Sequence, residues 1–351
     1  MRTALTIAML LTLTTAVPAA PLPEPSALSD KYLLDDTDML SVVNVKQVLA
    51  SPLFKKSYEK MVADFLKEEM VASVLKDAGV NPLKDVERVY FMLGRSCYPV
   101  GKPGPGAGPV MVIQGQFDAA KLQAAAGKLV DAGKLKAHAR GDVKIFEFKE
   151  GGDTFFGAVL DKSHVALAMN KMQIEAALDK AAGKKKTALK HKAISEMFGK
   201  LKAADSTAVI ATADAVVGHG GSSKVNPDGT VETKYTLHTL GDNGIQAIQA
   251  TVNVGDAIKA RTVLTLKDAA TAGKIEEVIN GGIKQGIAEL EKSKEFPALL
   301  KAMKTIKVGV KDATLTLEGE GDGDAVQQFF LALLVPRTSS KPGTTPNPTK
   351  P

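Results

Sequence analysis

Apolar positions along the chain switch several times between the spacing of a helix and the alternation of a strand. Asp36, Thr37 and Asp38 lead into a β-rich run over 39–45. Phe54, Tyr58, Met61, Val62, Phe65, Leu66 and Val74 then recur at helical intervals, with Lys55, Lys56, Glu59, Lys60, Lys67 and Glu68 mostly on the other side. That pattern predicts an amphipathic helix, or a pair of them, ending at Gly79. Strands are expected over 86–93 and 110–117, on either side of a loop, 101–109, whose four glycines and three prolines disfavour an ordered helix or central strand. Asp118 reads as the N-cap of a helix carrying Leu122, Ala125, Leu129 and Val130, closed by Gly133. A strand meander over 143–148, 155–160 and 164–169 follows, and 172–182 returns to the helical period.

The second half repeats the end of the first. At a constant offset of 150, Val159, Leu160, Asp161, Lys162, Ser163, His164, Val165, Ala166 and Leu167 align with Gly309, Val310, Lys311, Asp312, Ala313, Thr314, Leu315, Thr316 and Leu317. Both stretches read as strand, tight polar turn, strand, and both lead into a helix, the second over 324–335. Period-2 alternation puts Val165 with Leu167, and Leu315 with Leu317, on an expected buried face. Ala204, Asp205 and Ser206 precede the strand pattern 207–213 much as Asp36, Thr37 and Asp38 precede 39–45. The amphipathic region after the first strand has no counterpart in the second copy. In its place come alternating strands over 231–240, 244–254 and 257–266, then a helix on Ile275, Ile279, Ile283 and Ile287.

Meandering strands joined by short turns, with helices at the ends of each stretch, predict an α+β fold. The expected architecture is two related units of antiparallel sheet, each with helices packed on one face, produced by internal duplication. The boundaries that follow are a signal peptide over 1–19, a first α+β unit over 30–183, a second over 184–336 and a disordered Pro/Thr/Ser-rich tail over 337–351. Gly183, Lys184, Lys185 and Lys186 form the join, followed by an expected helix over 188–203.

The leader carries the strongest targeting signal. Arg2 supplies a positive start, 4–17 is uncharged and rich in Leu and Ala, and Val17, Pro18 and Ala19 place small residues where a signal peptidase cuts. Pro21 favours cleavage after Ala19 over cleavage after Ala20. Threonines and Pro18 interrupt the run, whereas a spanning helix wants about 20 strongly apolar residues. The mature chain is therefore expected to be exported, periplasmic or extracellular, and not membrane-spanning once the leader is removed.

Composition narrows the function classes. The chain has 351 residues, 44% hydrophobic and 24% charged, within the range of ordinary globular proteins. Of the net charge of +6, Arg2 lies in the leader and Arg337, Lys341 and Lys350 in the tail, which leaves +2 for the body. A balanced body with 12 Phe, 5 Tyr and no Trp offers neither the basic footprint nor the stacking surfaces of a nucleic-acid binder. The lysines at Lys184, Lys185 and Lys186, with Lys190 and Lys192, read as a solvated linker, with an anionic partner as the sharper alternative.

Candidate chemistry is sparse. Cys97 has no partner in the chain and cannot form an intramolecular bridge, and no base or helix start near it would activate its thiol. Ser57 with Lys60, and Ser73 with Lys76, match the Ser-x-x-Lys spacing of penicillin-recognising enzymes, but the accompanying Lys-Thr-Gly and Ser-Asp-Asn elements are missing. His219, Gly220, Gly221 and Ser222 are similar to the glycine-rich oxyanion loops of esterases, yet no Gly-x-Ser-x-Gly elbow accompanies them, so a flexible hairpin connection is expected. Carboxylates at Glu318, Glu320, Asp322 and Asp324 alternate as in some calcium loops, but the closing Glu is missing and capping by Asp324 is the expected role. His138, His164, His191, His219 and His238 never fall at metal-ligand spacing. No catalytic, cofactor-binding or metal-ligating residue is assigned.

Three further stretches, 38–53, 79–89 and 178–185, taken with the leader, resemble a family of exported bacterial proteins of unknown function. The resemblance covers most of the mature chain and carries no active-site residues with it. The reading is an exported, non-enzymatic binding or structural module of the cell envelope, its partner an unidentified envelope protein. The alternative is a periplasmic carrier of an apolar or lipid-like ligand held between sheet and helices. Intact-mass measurement and N-terminal sequencing of the exported protein should place its first residue near Ala20. Recovery of the full leader in the membrane fraction would refute the export reading.

Overall fold

A computed structural model describes residues 30–94, 108–150, 152–184, 189–202, 205–215, 217–225, 231–255, 257–323 and 325. After a short 3-10 turn over Asp30–Tyr32, β1 (Thr37–Asn44) runs into five short helices, α1 (Val45–Ala50), α2 (Pro52–Ser57), α3 (Glu59–Leu66), α4 (Glu69–Ala78) and α5 (Pro82–Asp85). Next come β2 (Val86–Gly94), β3 (Val110–Gly115), α6 (Ala119–Asp131), β4 (Lys136–Arg140), β5 (Val143–Glu150), β6 (Asp153–Asp161), β7 (His164–Ala168) and α7 (Lys171–Ala181). The second half holds α8 (Lys192–Phe198), β8 (Thr207–Thr212), β9 (Val217–Val225), β10 (Val231–Thr239), β11 (Ile245–Val254) and β12 (Ile258–Leu266). It closes with α9 (Ala269–Ser293), α10 (Pro297–Met303), β13 (Lys307–Lys311) and β14 (Thr314–Gly321).

Local chemistry sets these boundaries. Asn44, Ser51, Asn81, Asp118, Asn170 and Asp268 cap helix starts with side-chain oxygens that accept backbone N–H groups. Gly79 ends α4 in the left-handed region, φ 64°, which costs a residue without Cβ little. The single predicted amphipathic stretch thus becomes α2, α3 and α4. The join helix is shorter than expected, Lys192–Phe198, with Gly199 directly after it. Two strands escape the sequence pattern. The five residues of β4 carry three basic side chains, and β9, read as a flexible connection, is a regular strand in which His219 faces Leu237 and Ser222 faces Lys234 across the β9–β10 pair.

Twelve strands form one antiparallel sheet in the order β13-β14-β12-β11-β8-β1-β2-β3-β7-β6-β5-β4, and β9 with β10 form a separate pair. The stretches read as two units are joined where β1 pairs with β8, Leu40 opposite Ile210. Outward from that seam, β2, β3, β7 and β6 on one side stand where β11, β12, β14 and β13 stand on the other. The fold is α+β with an antiparallel sheet.

Helices cover the two halves differently. Over the first half, Ile174, Ala177 and Leu178 of α7 pack with Val110, Val112, Ala158, Ala166 and Ala168. Ile194, Met197 and Phe198 of α8 continue that layer across the seam onto Leu40, Ile210 and Ala247. On the reverse face α1 buries Val45 and Val48 against Val43 and Val89. In the second half α9 lies on that reverse face, with Ala272 buried and Ile275 and Ile279 packed against Leu264, Leu266 and Leu315. Both faces thus carry helices in the first half, whereas in the second, among the described residues, α8 covers only the strands next to the seam and α9 the reverse face.

This placement changes which residues of the repeated hairpin are deepest. In β7 the buried pair is Ala166 and Ala168, under α7, while Val165 and Leu167 are half-buried on the reverse face. Alanines let the helix backbone come close to the sheet, so they, and not the larger residues, sit under it. In β14 Leu315 is fully buried and Leu317 half-buried. Leu315→Asp should destabilise the chain by about 3 kcal/mol or more, because it strands a carboxylate among Leu264, Leu266 and α9. Leu317→Asp should cost measurably less. Equal melting temperatures for the two variants would refute the assigned register.

Candidate functional site

The alternation of each strand assigns its residues to one sheet face or the other. Pairing places Arg88 between Asn44 and Gln114, and Gln114 beside His164. In the second half the same alternation sets Asn253 beside Lys259, and Lys259 beside Glu320. One row further in, Thr251, Arg261, Glu318 and Lys307 stand across four strands. These rows share the face that carries Leu40, Ile210 and Gln249. In the first half that face lies under α7 and the N-terminal segment. Beyond the end of α8 no helix of the described residues lies over it, and a cleft of about 730 Å³ opens.

The cleft floor is Gln249, Thr251 and Asn253 of β11, Lys259 and Arg261 of β12, and Glu318 and Glu320 of β14. Lys200, Lys202 and Asp205, in the segment after α8, and Lys304, Thr305 and Lys307, leading into β13, complete the lining. Arg261 Nε meets Glu318 Oε1 at 3.0 Å and Lys259 Nζ meets Glu320 Oε2 at 3.8 Å. Lys304 Nζ pairs with Glu291 outside the cleft lining at 2.7 Å. Such exposed pairs add little to stability. Asp205 accepts the Lys202 backbone N–H at 2.8 Å and Asn253 Nδ2 at 3.3 Å. Lys200, Lys202 and Lys307 are exposed and have no ion-pair partner among the described residues.

A second polar group lies at the β6–β7 turn. Asp161 accepts hydrogen bonds from the Tyr32 hydroxyl, from Ser163 N–H at 2.8 Å and from Ser163 Oγ at 3.1 Å, and meets His164 Nδ1 at 2.9 Å. The Tyr32 and His164 rings stack with centroids 4.0 Å apart. Aspartate, histidine and serine within reach of one another invite comparison with a nucleophilic triad, but Ser163 Oγ and Asp161 Oδ1 both address Nδ1 of His164. A relay needs the serine on one ring nitrogen and the carboxylate on the other. The group is a clasp that fixes the N-terminal segment to the turn. Lys180 completes it by donating to the Leu33 carbonyl at 2.6 Å and pairing with Asp35. Burial alone would raise the Asp161 pKa, but the bonds from Tyr32, Ser163 and His164 outweigh it and hold the carboxyl well below the usual range. Burial and the same carboxylate push the Tyr32 hydroxyl above its ordinary value.

The residues singled out in the sequence scatter. Ser73 and Lys76 are exposed on α4, and Lys60 is exposed on α3. Cys97, Lys185, Lys186 and Asp324 lie outside the described residues, while Lys184 is exposed and Lys192 pairs with Glu196 at 3.5 Å. Asp322 accepts the Ala325 N–H at 2.9 Å. Glu318 and Glu320, considered for calcium, face Arg261 and Lys259 instead. His138 binds Glu147 at 2.7 Å and His191 binds the buried Asp38 at 2.5 Å. Among the described residues no three His, Cys, Asp or Glu side chains converge as a metal site. Sequence reasoning missed the cleft, although its signal was present: polar residues alternate in Gln249, Thr251 and Asn253, in Lys259 and Arg261, and in Glu318 and Glu320.

No family model and no curated protein matches the chain. Among solved structures, crystal form III of TP0453 aligns with a TM-score of 0.46 at 8% identity, covering 86% of this chain and 97% of that one. Crystal form IV of TP0453 aligns with a TM-score of 0.45 at 9% identity, covering 87% and 97%.

The clasp predicts a pH signature. Because the native pKa of Asp161 is lowered, its ionised form contributes stability in full above the unfolded carboxylate range, about 4. That contribution shrinks below this range and is gone once the pH has fallen through the native value. Asp161→Asn should therefore lower the urea midpoint at pH 7, with the gap to the parent closing as the solution is acidified below pH about 4. A gap that stays constant with pH would show that the carboxylate charge plays no part.

Proposed function

We propose that the chain is an exported, non-enzymatic binding module of the bacterial cell envelope, and that the polar sheet face of the second half, which no helix of the described residues covers, is its recognition surface. One observation carries the reading: on the sheet face that α7 and α8 cover elsewhere, a cleft of about 730 Å³ is floored by charged and amide side chains drawn from three neighbouring strands. The leader pattern supports export, and the resemblance to exported proteins of unknown function supports the envelope setting. The mirrored strand order about the β1–β8 seam supports the reading of an internal duplication.

The non-enzymatic reading fits the exposed positions of Ser73 and Lys76 on one helix and the sharing of His164 Nδ1 by Ser163 and Asp161, which is not the arrangement of a relay. The carrier alternative has less support, because the described cores are filled by side chains and the cleft lining is polar. A photo-crosslinking residue at Lys259, in the cleft, should capture an envelope component in cells. The same residue at Val278, an exposed apolar position on α9, should not. Adducts at Val278 alone would move the recognition surface to the helical face and overturn the proposal.

A further inference from the structure

We infer that the cleft takes a hydroxyl-rich ligand bearing two or more anionic groups, a phosphorylated or carboxylated sugar. The inference rests on the reading of this face as a recognition surface and names the chemistry that suits it. The positive charge is distributed, not focused. Lys200 and Lys202 lie on the α8 side of the cleft and Lys307 on the β13 side, all three exposed and without ion-pair partners among the described residues. Arg261 and Lys259 are already neutralised by Glu318 and Glu320 between them. A single small anion would satisfy one side only, so the arrangement favours a ligand whose anionic groups are separated by an uncharged body.

The floor defines that body. Gln249, Thr251 and Asn253 offer amide and hydroxyl groups that both donate and accept, the chemistry that recognises sugar or polyol hydroxyls. No aromatic residue lines the cleft among the described residues, so planar bases and stacked sugar rings find no ring to lie against there. Apart from Ala260 and Gly319, every described lining residue carries a charged, amide or hydroxyl side chain, which suits a lipid tail or an amphipathic helix poorly. A second copy of this chain is disfavoured for the same electrostatic reason, since the exposed Lys307 and Lys311 of edge strand β13 would meet like charges. Lysines, being flexible point charges, accept phosphate and carboxylate alike, so the anionic group remains a choice between two sources.

Calorimetric titration of the full mature chain with glucose 1,6-bisphosphate, trigalacturonate and glucose tests the inference. At least one of the two sugar acids should bind saturably and glucose should not. Which acid binds distinguishes phosphate from carboxylate. The triple variant Lys200→Ala, Lys202→Ala, Lys307→Ala should weaken binding at least tenfold, and raising the salt concentration should weaken the parent toward the variant. All three residues are exposed, so an unchanged melting temperature should accompany the loss. Equal affinity of parent and variant, saturation by neither sugar acid, or tighter binding of a single-stranded DNA oligomer would overturn the ligand class. Crosslinking from Lys259 separates the two levels. Adducts in cells without sugar-acid binding overturn only the ligand class, whereas loss of both overturns the recognition surface as well.

Discussion

Antiparallel pairing of β1 with β8 is the constraint on which the rest of the molecule depends. Without that seam each half would end in an edge strand whose backbone N–H and C=O groups face water or a neighbour. With it, the ladder runs without interruption from β13 to β4, and the faces of both halves are placed in one common frame. Leu40 opposite Ile210 sets the register, and a slip of one residue would turn every side chain of one half to the wrong side. The covering helix α8 spans the seam, so its Ile194, Met197 and Phe198 stabilise both halves together. The outer edges are handled by charge, with basic residues on β4 and on β13.

Given a common frame, a few residues decide what each half does with its faces. At the aligned positions Ala166 and Ala168 of β7 correspond to Thr316 and Glu318 of β14. Alanine at both sites admits the close approach of α7. Threonine and glutamate at the same sites would have to be desolvated beneath a helix, which is unfavourable without partners. Among the described residues, no helix lies over these polar positions of the second half. The reverse face shows the complement, since Leu315 and Leu317 retain the apolar character of Val165 and Leu167 and accept α9.

The turn clasp shows how strongly local chemistry is shaped by context. Asp161, Ser163 and His164 are neighbours in sequence and would form a polar turn in any hairpin. Their strong hydrogen bonding arises because Tyr32, 129 residues away, donates to the same carboxylate and stacks on the same imidazole. The N-terminal segment is thereby held against the β6–β7 hairpin and α7, under which much of the first-half core is buried.

Much of the secondary structure was legible from periodicity because alternation and caps act locally: Asp118, Gly79, the meander ahead of α7 and the long α9 all follow from neighbouring residues. The constant offset between the two hairpins was also readable, since a shared register is written in consecutive positions. Strand β4 was not, because an edge strand with basic residues has no apolar period to display, nor was β9, whose glycines and serines mimic a loop. The sequence by itself determined which positions are polar and which are apolar on each strand. Only the tertiary structure decided that Lys200, Lys202, Gln249, Arg261, Lys307 and Glu318, drawn from five separate segments, line one cleft. The physical reason is that side-chain alternation assigns a residue to a face, whereas the packing of distant helices decides which face is covered.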